Sequence, residues 1–429
     1  MKGTIRRTKK IWGILLAVCM MMGLAGCGEE KIISQDYQIG NSQHGLANGV
    51  MKTDTGYYYC QNWWGLSLHY YDEKNGKNMY LCNKPECRHD GNDFCAATSD
   101  KYSATGATLY SNALYINVIE ETETSYEFKL LKAALDGSSL SEVVTYLSIN
   151  NVGIGVSTKD LVIHRNKAFL GYSAGNSDND QVGFNGTAIY DLETGELSYL
   201  GEKEGDINIT QHSFYGYGDY MYYVNAEKYK KRLCRYSYAD GSVEELPLER
   251  NFKGKYTIYD EEAIFYERGN AELYIYNPKT KENRSIDIKG QGWYGISLGE
   301  GKGWTDTGIM DMISDGKYLY LSENKAISSF SPIPFRIGGI PDEEGRLKYV
   351  EINVLDKEGE HVNSFAFNTE EILGYSDYFS FHFCGDIIYM QTPKMMYQCT
   401  REDFVAGNPE FEEVYPIDIW MPSMREVEE

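Results

Sequence analysis

A chain of 429 residues with 37 Tyr, 16 Phe and only 10 Pro can build a large core, which excludes a disordered or collagen-like polymer. Its formal net charge of −22 repels phosphate backbones and anionic headgroups alike, which argues against nucleic acid as a partner. The same acidity serves solubility and says nothing of the fold.

Taken in order, the chain opens with a targeting segment, residues 1–26. Lys2, Arg6, Arg7, Lys9 and Lys10 make a basic start, and Ile11 to Leu24 is an apolar run too short to span a membrane comfortably. Leu24-Ala25-Gly26-Cys27 resembles the lipobox of bacterial lipoproteins. That resemblance implies cleavage before Cys27, lipid on its sulfur, and a protein held to the extracytoplasmic face of the cell membrane by several acyl chains, since one alone binds marginally. Residues 27–44 are polar and aperiodic and read as a lipidated tether, leaving 45–429 as a single domain.

That domain repeats one phrase. In Tyr215 to Leu248 a Gly-Asp turn leads into Tyr220 to Val224, and a second strand, Leu233 to Tyr238, stops at Asp240-Gly241. Tyr and Val at period two suit a pleated surface, and Asp-Gly suits a tight turn. The same strand pair is expected at Gly56 to Cys60 with Leu68 to Tyr71, Ala113 to Val118 with Phe128 to Leu131, and Ala168 to Tyr172 with Ala188 to Tyr190. It recurs at Ala263 to Tyr266 with Leu273 to Tyr276, Tyr318 to Leu321 with Ile352 to Leu355, and Ile387 to Met390 with Met395 to Tyr397. Each pair is half of a four-stranded antiparallel sheet that cannot bury its own faces, so the pattern predicts an all-β chain, a seven-bladed β-propeller. From Val50 to Tyr415 the repeat resembles the propeller-bearing lipoproteins of Gram-positive anaerobes, which implies this fold and a surface location and carries no catalytic signature.

In such a blade the turn after the third strand is short and structural. Long insertions are expected on the opposite face: Gly175 to Gly186, Gln291 to Asp311 and Glu323 to Arg346. Trp63, Trp64, Trp293 and Trp304 belong to that face and are the candidate ligand contacts, because an indole stacks on a sugar or anchors a peptide. The resulting expectation is a non-catalytic binding or scaffold module for a glycan, a peptide or an envelope protein. A second reading is an extracellular carbohydrate-active enzyme using loop acids such as Asp178, Asp180, Asp306 and Asp311, with no pair singled out. Gly295 to Gly299 matches the Gly-x-Ser-x-Gly pattern, but no helical stretch follows it as that chemistry requires.

The most distinctive stretch is Leu81 to Ala96, LCNKPECRHDGNDFCA. Cys82, Cys87, His89 and Cys95 offer the donor types of a tetrahedral structural zinc on one compact loop. An oxidising exterior favours disulfides among Cys60, Cys82, Cys87 and Cys95 instead. Of the nine cysteines, Cys19 and Cys27 fall in or at the end of the leader, so an odd number remains and complete internal pairing is impossible. The cluster is expected after the last strand of the first blade, as a staple on a loop.

Overall fold

The computed structural model describes residues 50–416, apart from short internal segments and three longer ones, 288–307, 325–338 and 369–379. The chain divides into two units, Met1–Asp36 and Tyr37–Glu429, and all the described residues belong to the second. Cys27, the tether, and Trp63, Trp64, Trp293 and Trp304 lie outside the described residues, as do Asp178, Asp180 and Asp306.

Seven antiparallel sheets follow one another along the chain, each drawing its strands from one continuous stretch. Blade 1 holds β1 (Val50–Lys52), β2 (Gly56–Gln61), β3 (Leu66–Asp72), β4 (Lys77–Tyr80) and β5 (Thr98–Ser99). Blade 2 holds β6 (Tyr102–Tyr110), β7 (Ala113–Glu121), β8 (Ser125–Ala134) and β9 (Leu140–Asn150). Blade 3 holds β10 (Gly155–His164), β11 (Lys167–Gly175), β12 (Gly183–Asp191) and β13 (Leu197–Tyr199). Blade 4 holds β14 (Ile209–Tyr217), β15 (Tyr220–Glu227), β16 (Lys230–Ser237) and β17 (Val243–Glu245). Blade 5 holds β18 (Tyr256–Tyr259), β19 (Glu262–Glu267), β20 (Glu272–Tyr276) and β21 (Asn283–Asp287). Blade 6 holds β22 (Gly308–Ser314), β23 (Leu319–Asn324), β24 (Gly339–Pro341), β25 (Leu347–Leu355) and β26 (His361–Asn368). Blade 7 holds β27 (Ser380–Cys384), β28 (Ile387–Gln391), β29 (Met395–Thr400), helix α1 (Arg401–Ala406) and β30 (Glu412–Pro416).

The seven strand pairs expected from the sequence are the second and third strands of these blades. They are the strands buried on both faces, so they carry the strongest apolar signal. Outer strands carry a weaker pattern, as β17 shows with all three residues exposed, which also suits an edge that must not recruit another chain.

Period two closes the ring. In β2, Tyr57 and Tyr59 pack with Tyr389 and Met396 of blade 7, whereas Tyr58 and Cys60 point the other way, into a cluster with Ala104, Leu114 and Ile116 of blade 2. The same division runs round the molecule, so the described core is a set of interfaces between neighbouring blades, one for each neighbouring pair. This accounts for the abundance of tyrosine. The ring fills an interface while the hydroxyl reaches a polar group of the neighbour: Tyr58 Oη donates to the Leu135 carbonyl at 3.1 Å, Tyr110 Oη to Asn166 Oδ1 at 2.8 Å, and Tyr215 Oη to the Tyr256 carbonyl at 3.1 Å. Where the ring closes, Tyr389 Oη donates to Tyr57 Oη at 3.2 Å, and Tyr57 Oη to Gln398 Oε1 at 3.1 Å.

The turns after the third strands share one device. Asp72, Asp136, Asp191, Asp240, Asn277 and Asp356 each accept backbone N–H bonds from residues two to four positions on, which fixes the turn without help from the core. In blade 7 Thr400 caps helix α1 instead, accepting from the Asp403 amide at 3.0 Å. Burial alone would raise the Asp191 pKa, but the Lys167 ammonium at 2.7 Å and the amides of Thr194 and Glu193 outweigh it and hold the carboxyl at about 2. The folded pKa therefore lies below the unfolded value of about 3.9. Its stabilisation is complete above about pH 4 and disappears as pH falls through about 2. Asp191→Asn is expected to flatten that acid limb of a plot of melting temperature against pH; an unchanged limb would contradict this.

One further regularity positions the site. At two joints the outer strand of a blade holds the segment after the third strand of the next blade: Arg284 Nη1 of β21 donates to the Glu358 carbonyl at 3.0 Å, and Asn363 Nδ2 of β26 donates to the Val405 carbonyl of α1 at 3.0 Å. At the joint between blades 1 and 2 this place is taken by the cysteine loop.

Candidate metal centre

The loop does not follow the outer strand of blade 1; it interrupts it. β4 pairs with His69 to Asp72, and β5 pairs with Leu66 and Ser67 on the same edge of β3. Between them the chain swings out and back, its neck closed on one residue: the Leu81 amide donates to the Leu68 carbonyl at 2.9 Å, and the Leu68 amide to the Ala97 carbonyl at 2.7 Å. This corrects the expected position after the last strand. A four-residue β4 leaves the rest of the β3 edge unpaired, and the returning chain satisfies it.

Inside the excursion the local sequence turns the chain three times. Lys84-Pro85-Glu86-Cys87 closes a turn with the Cys87 amide on the Lys84 carbonyl at 3.1 Å, proline presetting the backbone at its second position. His89 has φ 54° and Gly91 φ 87°, which bends the chain back, and the Gly91 amide donates to Thr98 Oγ1 at 3.2 Å. A positive φ at a histidine is uncommon and is held here by what surrounds the ring.

These turns bring Cys82, Cys87, His89 and Cys95 together, with one donor atom from each and all four within 4.8 Å of one another. His89 Nδ1 lies 3.5 Å from Cys95 Sγ, so Nδ1 is the ring nitrogen aimed into the set. Cys95 is buried, and its sulfur accepts from the amides of Ala97 and Thr98, both at 3.3 Å, which fixes its position where the loop rejoins the blade.

Four rings run in a row from β2 to the loop. Tyr59 stacks on His69 at 4.7 Å, His69 meets Tyr80 at 4.8 Å, and Tyr80 stacks on His89 at 4.5 Å. Cross-strand register makes the row, since Tyr59 faces His69 and His69 faces Tyr80 in the ladders. His69, with Nε2 on Ser67 Oγ at 2.8 Å, is driven down to about pKa 3 by burial and by the neighbouring His89, so it stays neutral. The row fixes the His89 imidazole plane from behind.

Ionisation suits metal binding. Burial lowers the His89 pKa, which keeps the imidazole neutral and able to donate a lone pair. Burial opposes ionisation of Cys82, but the amides of Ala96 and Lys84 and the thiols of Cys87 and Cys95 donate to its sulfur and bring its pKa below the usual thiol value. Cys87 is pushed up to about 11, first by burial and then by the neighbouring thiols, so Cys82 ionises before it.

The donor set fits zinc. Zn–S bonds of about 2.3 Å and Zn–N bonds of about 2.0–2.1 Å in a tetrahedron put ligand atoms about 3.5–3.8 Å apart; His89 and Cys95 are 3.5 Å apart, and the whole set, within 4.8 Å, would draw in slightly around the ion. Cys60 is not one of the four; it sits in β2 against Leu68, and burial pushes its thiol up to about 12. The residues that sequence reasoning missed are Tyr59, His69 and Tyr80, which form the row, and Gly137, which receives the loop. Only strand register across blade 1 could have revealed the first three, and only the packing of blade 2 the last.

No protein-family model matches the chain, and no curated protein matches it by sequence. Solved structures do resemble it. One of two prolyl endopeptidases studied for inter-domain dynamics in catalysis and specificity aligns at a TM-score of 0.53 with 10% identity, over 96% of this chain and 55% of that one. Oligopeptidase B from Leishmania major aligns at 0.47 with 9% identity, over 89% and 49%. The β-propeller domain of the Trilobed protease from Pyrococcus furiosus aligns at 0.40 with 11% identity, over 73% and 84%. The chain thus spans about half the length of the first two. The likeness concerns the propeller fold alone.

Proposed function

We propose that this chain is a lipid-anchored surface protein whose propeller is a non-catalytic binding or scaffold module, with a structural zinc held by Cys82, Cys87, His89 and Cys95. The convergence of four protein donors on one loop carries the reading of the metal. A tetrahedral ion with four protein ligands keeps no position for water or substrate, whereas a catalytic zinc needs one. Anchoring rests on the basic start, the apolar run and Leu24-Ala25-Gly26-Cys27. Among glycan, peptide and envelope protein we put peptide first, by analogy of fold with a prolyl endopeptidase.

Two measurements test this. The protein extracted from membranes is expected to begin at Cys27 and to carry the mass of its acyl chains, which Cys27→Ala should abolish; a wild-type N-terminus without acyl mass would overturn the anchor. The zinc-loaded mature protein, immobilised and offered a random peptide library, is expected to retain a subset of peptides intact. The Trp63→Ala, Trp64→Ala double variant is expected to retain at least about tenfold less, in keeping with the loss of aromatic anchors. Cleavage of the peptides, or retention unchanged by the double substitution, would contradict the binding role or the place assigned to it.

A further inference from the structure

We infer that metal binding at the cysteine loop fastens blade 1 to blade 2, so that the joint between these two blades depends on the ion. The inference rests on the zinc reading above. Leu81 and Cys95 are buried in the same apolar cluster as Ala104, Leu114, Ile116 and Leu131 of blade 2, with Cys82 and Cys87 packed against it. The sulfurs that would hold the ion are therefore also part of the wall between the blades.

The loop then grips the turn between β8 and β9. The Asn83 amide donates to the Gly137 carbonyl at 3.1 Å, and Tyr58 Oη from β2 holds the adjacent Leu135 carbonyl of the same turn. Gly137 has φ 71°, and a Cβ added there would meet the Cys82 amide nitrogen at 2.8 Å and its Cα at 2.9 Å. The turn and the first ligand are thus in backbone contact, with room for no side chain between them.

What sets this joint apart is the element that makes it. Between blades 5 and 6 the equivalent turn is held by β21, and between blades 6 and 7 by β26, both strands fixed by ladder hydrogen bonds along their length. At blade 1 the ladder stops at Leu81 and resumes at Ala97, and the grip comes from the excursion between them. An irregular segment loses backbone freedom at every residue when it is ordered, with no ladder bond to offset it. Four bonds to one ion, from Cys82 and Cys87 before the bend, His89 at it and Cys95 after it, supply what the ladder supplies elsewhere.

The test is hydrogen exchange of the full mature chain, zinc-loaded and after chelation, with zinc counted on the same samples. One zinc per chain is expected, and its removal is expected to lower amide protection at least about tenfold in β4, in β5 and in the Leu135 to Ser138 turn of blade 2, while blades 4 and 5 keep theirs. If zinc binds but its removal changes exchange only within residues 82–97, the clamp is overturned and the metal site stands. If no zinc binds, both fall. Gly137→Ala keeps all four ligands and separates the joint from the site: it is expected to bind one zinc and lose the zinc-dependent protection of the turn. Wild-type, zinc-dependent protection of that turn in the variant would overturn the inference.

Discussion

Replacing Phe404 by alanine is expected to lower the stability of the propeller by about 3–5 kcal/mol, the usual range for emptying a fully buried phenylalanine site. Helix α1 exists to place this ring. Thr400 caps its start, Gly407 ends it in the left-handed region, and Phe404, fully buried, becomes the wedge between blades 6 and 7. It meets Tyr320 at 5.8 Å, Phe365 and Phe381 at 5.2 Å and Phe383 at 6.1 Å, all edge-on. Such edge contacts add about 0.5–1.5 kcal/mol each beyond area, and rigid strands on both sides cannot collapse into the space left behind. A urea midpoint unchanged in Phe404→Ala would show that α1 is an ornament of the turn; Phe404→Leu, which keeps most of the volume, should lie between the two.

Cys95→Ala is expected to weaken zinc binding by more than about a hundredfold, beyond the cost of losing a residue that only orients a ligand. Cys95 is the most buried of the four ligands, faces His89 Nδ1, and takes the amides of Ala97 and Thr98, where the loop rejoins the blade. The variant should also lose the stability that the ion confers, about 2.7 kcal/mol when free zinc is a hundred times the dissociation constant. Its melting temperature in zinc should then equal that of the chelated parent. A variant that still gains the parent's full stabilisation from zinc would remove Cys95 from the site.

The blades were legible because their inner strands alternate between two apolar faces, as Tyr57 to Cys60, Tyr220 to Val224 and Ile387 to Met390 do, and because the turn after the third strand begins with Asp or Asn in six of the seven. The outer strands were not, since residues such as Val243 to Glu245 are all exposed and carry no periodicity. Donor types and the compact loop marked Cys82, Cys87, His89 and Cys95 in the sequence. Their place inside the outer edge of the blade depends on pairing: nothing local says that Thr98 and Ser99 return to the edge that β4 left. The same holds for Gly137, which looks like any turn glycine until blade 2 is packed against blade 1.

The central claim, that Cys82, Cys87, His89 and Cys95 hold one zinc, is tested most directly by native and denaturing mass spectra of the same preparation, the chain from Gly28 to Glu429. The native mass is expected to be raised by one zinc, lost on acidification, with every cysteine of the loop recovered as a thiol. A denatured mass short by two hydrogens for each bridge, with no metal in the native spectrum, would make the loop a disulfide staple and contradict it.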